Sequence, residues 1–110
     1  MQMRRFGNTP LEVSAISLGC WIFGVDWWGH YTDERAFELL DFSRDLGITY
    51  FDNGDAYGNG RAETLFGNWL KESKIPRDQI EIGGKCRRHV KNDLSIRALN
   101  TRCRIELRAR

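Results

Sequence analysis

GITYFDNGDAYGNGRAETLFGNWL, residues 47–70, decides how the rest of the chain is read. Residues 48–51 are β-branched and aromatic, suited to a pleated strand, and the run ends on Asp52. A glycine-rich loop follows, with Tyr57 in its middle. Ala62, Leu65, Phe66, Trp69 and Leu70 then recur at i, i+3, i+4, i+7 and i+8, the single apolar stripe of an amphipathic helix. Strand, loop and helix make one βα unit, and in folds built from such units reactive groups gather at the carboxyl ends of the strands. The loop is a poor phosphate cradle: Gly54, Gly58 and Gly60 do not fit G-x-G-x-x-G, and no GK[ST] is present. Gly58 and Gly60 are better explained by the turn entering the helix.

Moving outward, the same alternation continues. Upstream, TDERAFELLDFSRDLG (residues 32–47) predicts a helix capped by Thr32, with Asp33 and Glu34 at its positive end and Gly47 ending it. Before that, SAISLGCW is a buried-strand candidate ending at Gly19. MRRF and LEVSAI, joined by GNTP, predict a hairpin. The segment IFGVDWWGHY carries much apolar surface without a period, and Trp27 and Trp28 require cover. Downstream, Pro76 stops the second helix, QIEIGGKC is a short strand weakened by two glycines, and residues 95–110 predict a third helix with Ile96, Leu99, Cys103 and Leu107 on one stripe. The order is hairpin, then β, α, β, α, β, α. Such alternation implies parallel pairing through right-handed crossovers.

Composition narrows the class. The 110 residues are 41% hydrophobic and 29% charged, ordinary for a globular domain. The net charge of +2 hides an asymmetry: 8 basic against 13 acidic residues precede position 85, and 9 against 2 follow from it. That basic end lacks aromatic residues, so it offers no stacking platform for single-stranded nucleic acid, and a solvated helix face accounts for it. Cys20, Cys86 and Cys103 fit neither a disulfide framework nor a zinc pattern. His30 and His89 have no partner at metal-ligand spacing. No apolar run is long enough to cross a bilayer, and no secretory signal opens the chain. The reading is a cytoplasmic protein with neither nucleic acid nor membrane as partner.

Candidate reactive and pocket residues fall at three equivalent strand ends. Asp52 closes the second strand with Tyr57 just past it, Lys85 closes the third, and Cys20 and Trp21 follow the first. A phenol is too weak an acid at neutral pH to protonate a forming alkoxide. A neighbouring ammonium favours the phenolate, and a carboxylate holds the ammonium in place. Each residue alone has an ordinary structural reading as a turn former, a packed loop ring or a surface charge, and spacing does not choose between these.

Several stretches together resemble the aldo-keto reductase family. RRFGNTPLEVSAISLGCWIFG is similar to its opening hairpin and first strand. LGITYFDNGDAYGNGRAETLFGNWL is similar to its "FDTADxYGxGxSExxLG" signature, with Asp52, Tyr57, Gly60, Glu63 and Gly67 in place. IEIGGKC resembles the strand bearing the family lysine, and residues 91–108 its next helix. The resemblance implies an α/β fold, a partial (β/α)8 TIM barrel made of the N-terminal hairpin and about three βα units. It implies NADPH-dependent reduction of aldehydes or ketones, or the reverse oxidation of an alcohol or sugar. Tyr57 would donate the proton, Lys85 would lower its pKa, and Asp52 would pair with Lys85 and touch the nicotinamide ribose. Cys20 would stand at the cofactor, and Trp21 and Trp28 would line the pocket for a small carbonyl substrate.

The family pattern also implies what is missing. Its barrel takes about 250 residues, and its active-site histidine lies beyond the next strand; His89 follows Lys85 too closely to replace it. Residues 1–110 are therefore expected to be an incomplete N-terminal part, inactive alone, able to pair with another chain to complete the barrel. The alternative is a non-catalytic binding module or a truncated relic. Departures fall at Asn53-Gly54, where Thr-Ala is usual, at Cys20 for Thr, and at Gly83-Gly84, where an apolar residue and Thr usually precede the lysine. The paired glycines are expected to loosen the strand that aims Lys85.

Overall fold

The computed structural model describes residues 1–27 and 29–85. Trp28, Cys86, His89, Cys103 and the expected third helix lie outside the described residues. The chain opens with an antiparallel hairpin of β1 (Met3–Arg5) and β2 (Glu12–Ser14), turned at Gly7 with φ 59°. A parallel sheet follows, made of β3 (Ser17–Gly19), β4 (Tyr50–Asp52) and β5 (Glu81–Gly83) in the order β3-β4-β5. Helix α1 (Asp33–Asp45) connects β3 to β4, and α2 (Arg61–Ser73) connects β4 to β5. Each strand lies beside its successor, the order of a sheet that winds in one direction and closes as a barrel, not one that reverses at a switch point.

The two helices form for the expected reasons. Thr32 caps α1 by accepting from the Arg35 amide at 3.3 Å, and Gly47, φ 84°, turns the chain out of the helix. The α2 stripe is the core: Ala62, Leu65, Phe66 and Trp69 are buried, and Phe51 of β4 packs its ring on Phe66 and Trp69 at 5.1 and 5.6 Å. Cys20, Phe23, Ala36, Leu40, Ile48 and Ile80 complete that cluster. Trp69 also donates from Nε1 to Asp41 Oδ1 at 2.7 Å, joining the two helices while satisfying a buried donor. The first parallel strand differs from expectation. It is only three residues long and mostly exposed, with Leu18 half-buried, and the segment after it forms a 3₁₀ turn over Cys20–Phe23.

The hairpin is stitched to the sheet by Ser14. Its hydroxyl oxygen accepts from the amides of Thr49 and Tyr50 at 3.0 and 3.3 Å, and its own amide donates to Thr49 Oγ1 at 3.0 Å. The Phe6 ring lies 5.9 Å from that of Tyr50. Removing the buried ring at the centre tests the core directly. Phe51→Ala should cost about 3–5 kcal/mol, seen as a lowered denaturant midpoint, whereas Phe51→Leu should retain most of the stability.

Candidate active site

The parallel register places the reactive groups. Gly19, Asp52 and Gly83 are Cα partners across the three strands, so the last residue of each lies in one row. Two glycines flank Asp52: the place of a side chain at Gly19 is open, and that at Gly83 is taken by the Tyr50 ring. The ladder also continues past the strands: the Asn53 amide donates to Gly83 O at 2.7 Å and the Asp55 amide to Lys85 O at 3.3 Å. Lys85 is thereby held by its backbone although β5 has ended.

Lys85 Nζ donates to Asp52 Oδ1 and lies 3.4 Å from Asn53 O. The same ammonium sits 5.0 Å from the centre of the Tyr57 ring. Carboxylate, ammonium and phenol therefore meet at one rim, as the strand-end reading expected them to converge. Partial burial works against the charge on Lys85, but hydrogen bonding to Asp52 and Tyr57 outweighs it and holds its pKa above the usual lysine value. The lysine side chain is 52% exposed and that of Asp52 38%. An ion pair this open contributes only about 0–1 kcal/mol to stability, so its consequence is placement of the ammonium.

Three features of the sequence that looked like weaknesses support this placement. Gly83 was expected to slacken β5, yet the Tyr50 ring fills the room a side chain would take. A Cβ at Gly83 would meet Tyr50 Oη and lie 3.0 Å from Cζ. At Gly54 an added Cβ would sit 3.4 Å from Lys85 Cβ and 3.5 Å from Tyr57 Cζ, ordinary contact distances, so the usual Ala would also fit. Asn53 is buried, accepts from the Gly54 amide at 2.9 Å and donates to Ala62 O at 3.4 Å, tying the loop to α2.

The Tyr57 loop is also clamped from the other side. Gly24 and Gly58 meet backbone to backbone: a Cβ on Gly24 would lie 2.6 Å from Gly58 N, and one on Gly58 2.5 Å from Gly24 Cα. Gly58 has φ 61°, so it serves both the turn and the close approach. Composition alone gave no sign of Gly24; its significance depends on which backbone lies opposite it.

Of the remaining expected site residues, Cys20 lies in the core and Trp21 on the surface. Cys20, expected at the cofactor, is fully buried in the core cluster, where its side chain presents no surface to a ligand. Burial, with the Asp52 charge adding and Lys85 opposing, pushes its thiol up to about 12. Trp21 is 37% exposed and meets Trp27 edge to face, ring centres 5.1 Å apart at 84°. Trp27 is 72% exposed, and the Trp21 ring gives it cover. Trp28 lies outside the described residues. A groove of about 750 Å³ runs along α2 and β5, lined by Phe66, Leu70, Ile75 and Ile82 among others. It touches none of Asp52, Tyr57 or Lys85. No group of metal-ligating side chains occurs among the described residues, and no described helix is long and apolar enough to cross a membrane.

An acid, an amine and a phenol thus share the carboxyl ends of parallel strands in a β/α arrangement. Residues 15–108 match the model of the Aldo/keto reductase family, and the chain belongs to that family. It is similar to aldo-keto reductase YhdN of Bacillus subtilis, 34% identical over 100 residues, covering 91% of this chain and 30% of the relative. Versiconal hemiacetal acetate reductase of Aspergillus parasiticus is 33% identical over 88 residues, 78% of this chain and 26% of that protein. Among solved structures, the holo form of aldo-keto reductase AKR11C1 from Bacillus halodurans superposes with a TM-score of 0.66 at 27% identity, covering 86% of this chain and 29% of that one. The chain thus spans between a quarter and a third of the length of these relatives. Its fold is a partial (β/α)8 barrel.

Two measurements test this geometry. Gly83→Ala should destabilise by about 1–3 kcal/mol through overpacking, and Tyr50→Phe in the same chain should recover part of the loss, a coupling that a double-mutant cycle on denaturation midpoints detects. For Cys20, the folded pKa is raised, so the unfolded chain ionises first. Its contribution to stability is present below about 9 and declines as pH rises towards about 12. In a Cys86→Ser, Cys103→Ser background the alkaline fall in stability should be smaller for Cys20→Ala, read by denaturation at stepped pH.

Proposed function

We propose that residues 1–110 supply the proton-donating part of an NADPH-dependent carbonyl reductase. The observation that carries this reading is one ammonium, Lys85 Nζ, bonded to the Asp52 carboxylate while lying 5.0 Å from the Tyr57 ring centre. Tyr57 gives its proton to the carbonyl oxygen of a small aldehyde or ketone as negative charge develops there. The ammonium stabilises the phenolate left behind, and Asp52 keeps the ammonium in position. Run backwards, the same groups take the proton from an alcohol.

The described residues fit the nicotinamide end of such a cofactor. The rim is open, and Asp52 is an exposed acceptor suited to a ribose hydroxyl. When bound, the reduced nicotinamide supplies the hydride. Tyr57 and Lys85 orient the carbonyl oxygen by charge, and Trp21 walls the space beside them. Cys20 serves packing in this reading. Completion of the barrel beyond β5, in the same polypeptide or by a second chain, supplies the rest of the cofactor contacts, and residues 1–110 alone turn over slowly or not at all.

A chimera tests this by placing residues 15–85 in the matching segment of the Bacillus subtilis reductase. The chimera should reduce simple aldehydes with NADPH, followed by cofactor absorbance. Tyr57→Phe should lower the rate by roughly 10²–10⁴, the usual worth of a general acid. A folded chimera that reduces no aldehyde, or a Tyr57→Phe variant as fast as its parent, overturns the assignment.

A further inference from the structure

The segment between the 3₁₀ turn and α1 reaches the core through Tyr31 and the Tyr57 loop through Gly24, and one side chain fastens both of its ends. Arg61, the first residue of α2, donates from Nε to Phe23 O at 2.9 Å and from Nη2 to Tyr31 O at 2.6 Å. Its guanidinium also lies 3.7 Å from the Asp33 carboxylate. The two accepting carbonyls bracket residues 24–30. At the same base the rings of Phe23 and Tyr31 meet edge to face, centres 5.9 Å apart. A surface loop closed at its ends in this way is an Ω-type loop, a form that frequently carries function.

Inside the loop, His30 Nδ1 and Asp26 Oδ1 lie 2.9 Å apart, Gly29 turns at φ 101°, and Trp27 stands edge-on to Trp21. Arg61 is three residues beyond Gly58, which touches Gly24 at the loop's start. The loop base is therefore fixed to the same short stretch that follows Tyr57. The planar fork of an arginine suits two carbonyls in fixed directions; a lysine ammonium is a single point on a flexible stem and does not reproduce it.

We propose that Arg61 is a positioning residue: by bonding the carbonyls of Phe23 and Tyr31 together it sets the loop 24–30 so that Trp27 stands against Trp21 beside the Tyr57 loop. The Trp21–Trp27 edge is then an aromatic wall at the rim, suited to carbonyl compounds that carry an aryl ring. That last clause rests on the reductase reading; the positioning role does not.

Two indoles held at a fixed angle couple their transitions and give an exciton couplet in far-ultraviolet circular dichroism. In the full chain, Trp27→Phe assigns the couplet by removing it. Arg61→Met and Arg61→Lys are then expected to lose the couplet while keeping the helical signal and a cooperative melt. A helix-initial residue with a merely structural role would lower the melting midpoint and leave the couplet intact. A folded Arg61→Met or Arg61→Lys chain with an undiminished couplet overturns the proposal, as does a couplet that survives Trp27→Phe. If neither Arg61 variant folds, Arg61 is a folding residue and the positioning role falls. Because the signal needs no turnover, a chimera that reduces no aryl aldehyde sinks only the aryl-carbonyl clause and leaves the positioning role standing.

Discussion

The register of three short parallel strands is the constraint from which the rest follows. With Gly19, Asp52 and Gly83 opposite one another, every group just past a strand end emerges at the same level. Because side chains alternate across a sheet, a slip of one residue in β5 would turn its side chains to the other face and shift Lys85 relative to Asp52. The register itself is set by the buried side of the sheet, where Phe51 and Ile80 pack with the α2 stripe, and by Ser14 holding the start of β4. Core packing and site geometry are in this sense one specification.

Much of this was legible in the sequence because it depends on local chemistry. The α2 stripe, the Thr32 cap and the glycine stop at 47 are short-range signals, and each element formed where its signal lay. The alternation of elements pointed to the ends of the first two strands and to one rim for Asp52, Tyr57 and Lys85, while the third strand ends at Gly83, two residues before the expected Lys85. What escaped depends on which residue lies opposite which. The burial of Cys20 was hidden because a cysteine at a strand end suits a pocket or a core equally. Gly24 and Arg61 gave no signal, since their partners are backbone atoms thirty or more positions away in sequence.

The Gly83-Gly84 departure shows how a local rule is overridden. Two glycines before a functional lysine suggest a loose strand end, yet the aromatic side chain two residues before Asp52 takes the volume that the missing side chain leaves. The volume is supplied by β4 instead of β5, and the ladder hydrogen bonds from Asn53 and Asp55 carry the chain on to Lys85. The site is thus supported by a trade between neighbouring strands, and only their pairing discloses it.

The contact of Gly24 with Gly58 has a different character from that trade. Volume exchanged between Tyr50 and Gly83 is a matter of side chains, and other pairs of sizes can satisfy it. At the seam between the 3₁₀ turn and the Tyr57 loop there is main chain on both sides, so no partner can shrink to make room. The two strands can exchange volume between them, while the seam between the loops admits no added side chain without parting the two backbones.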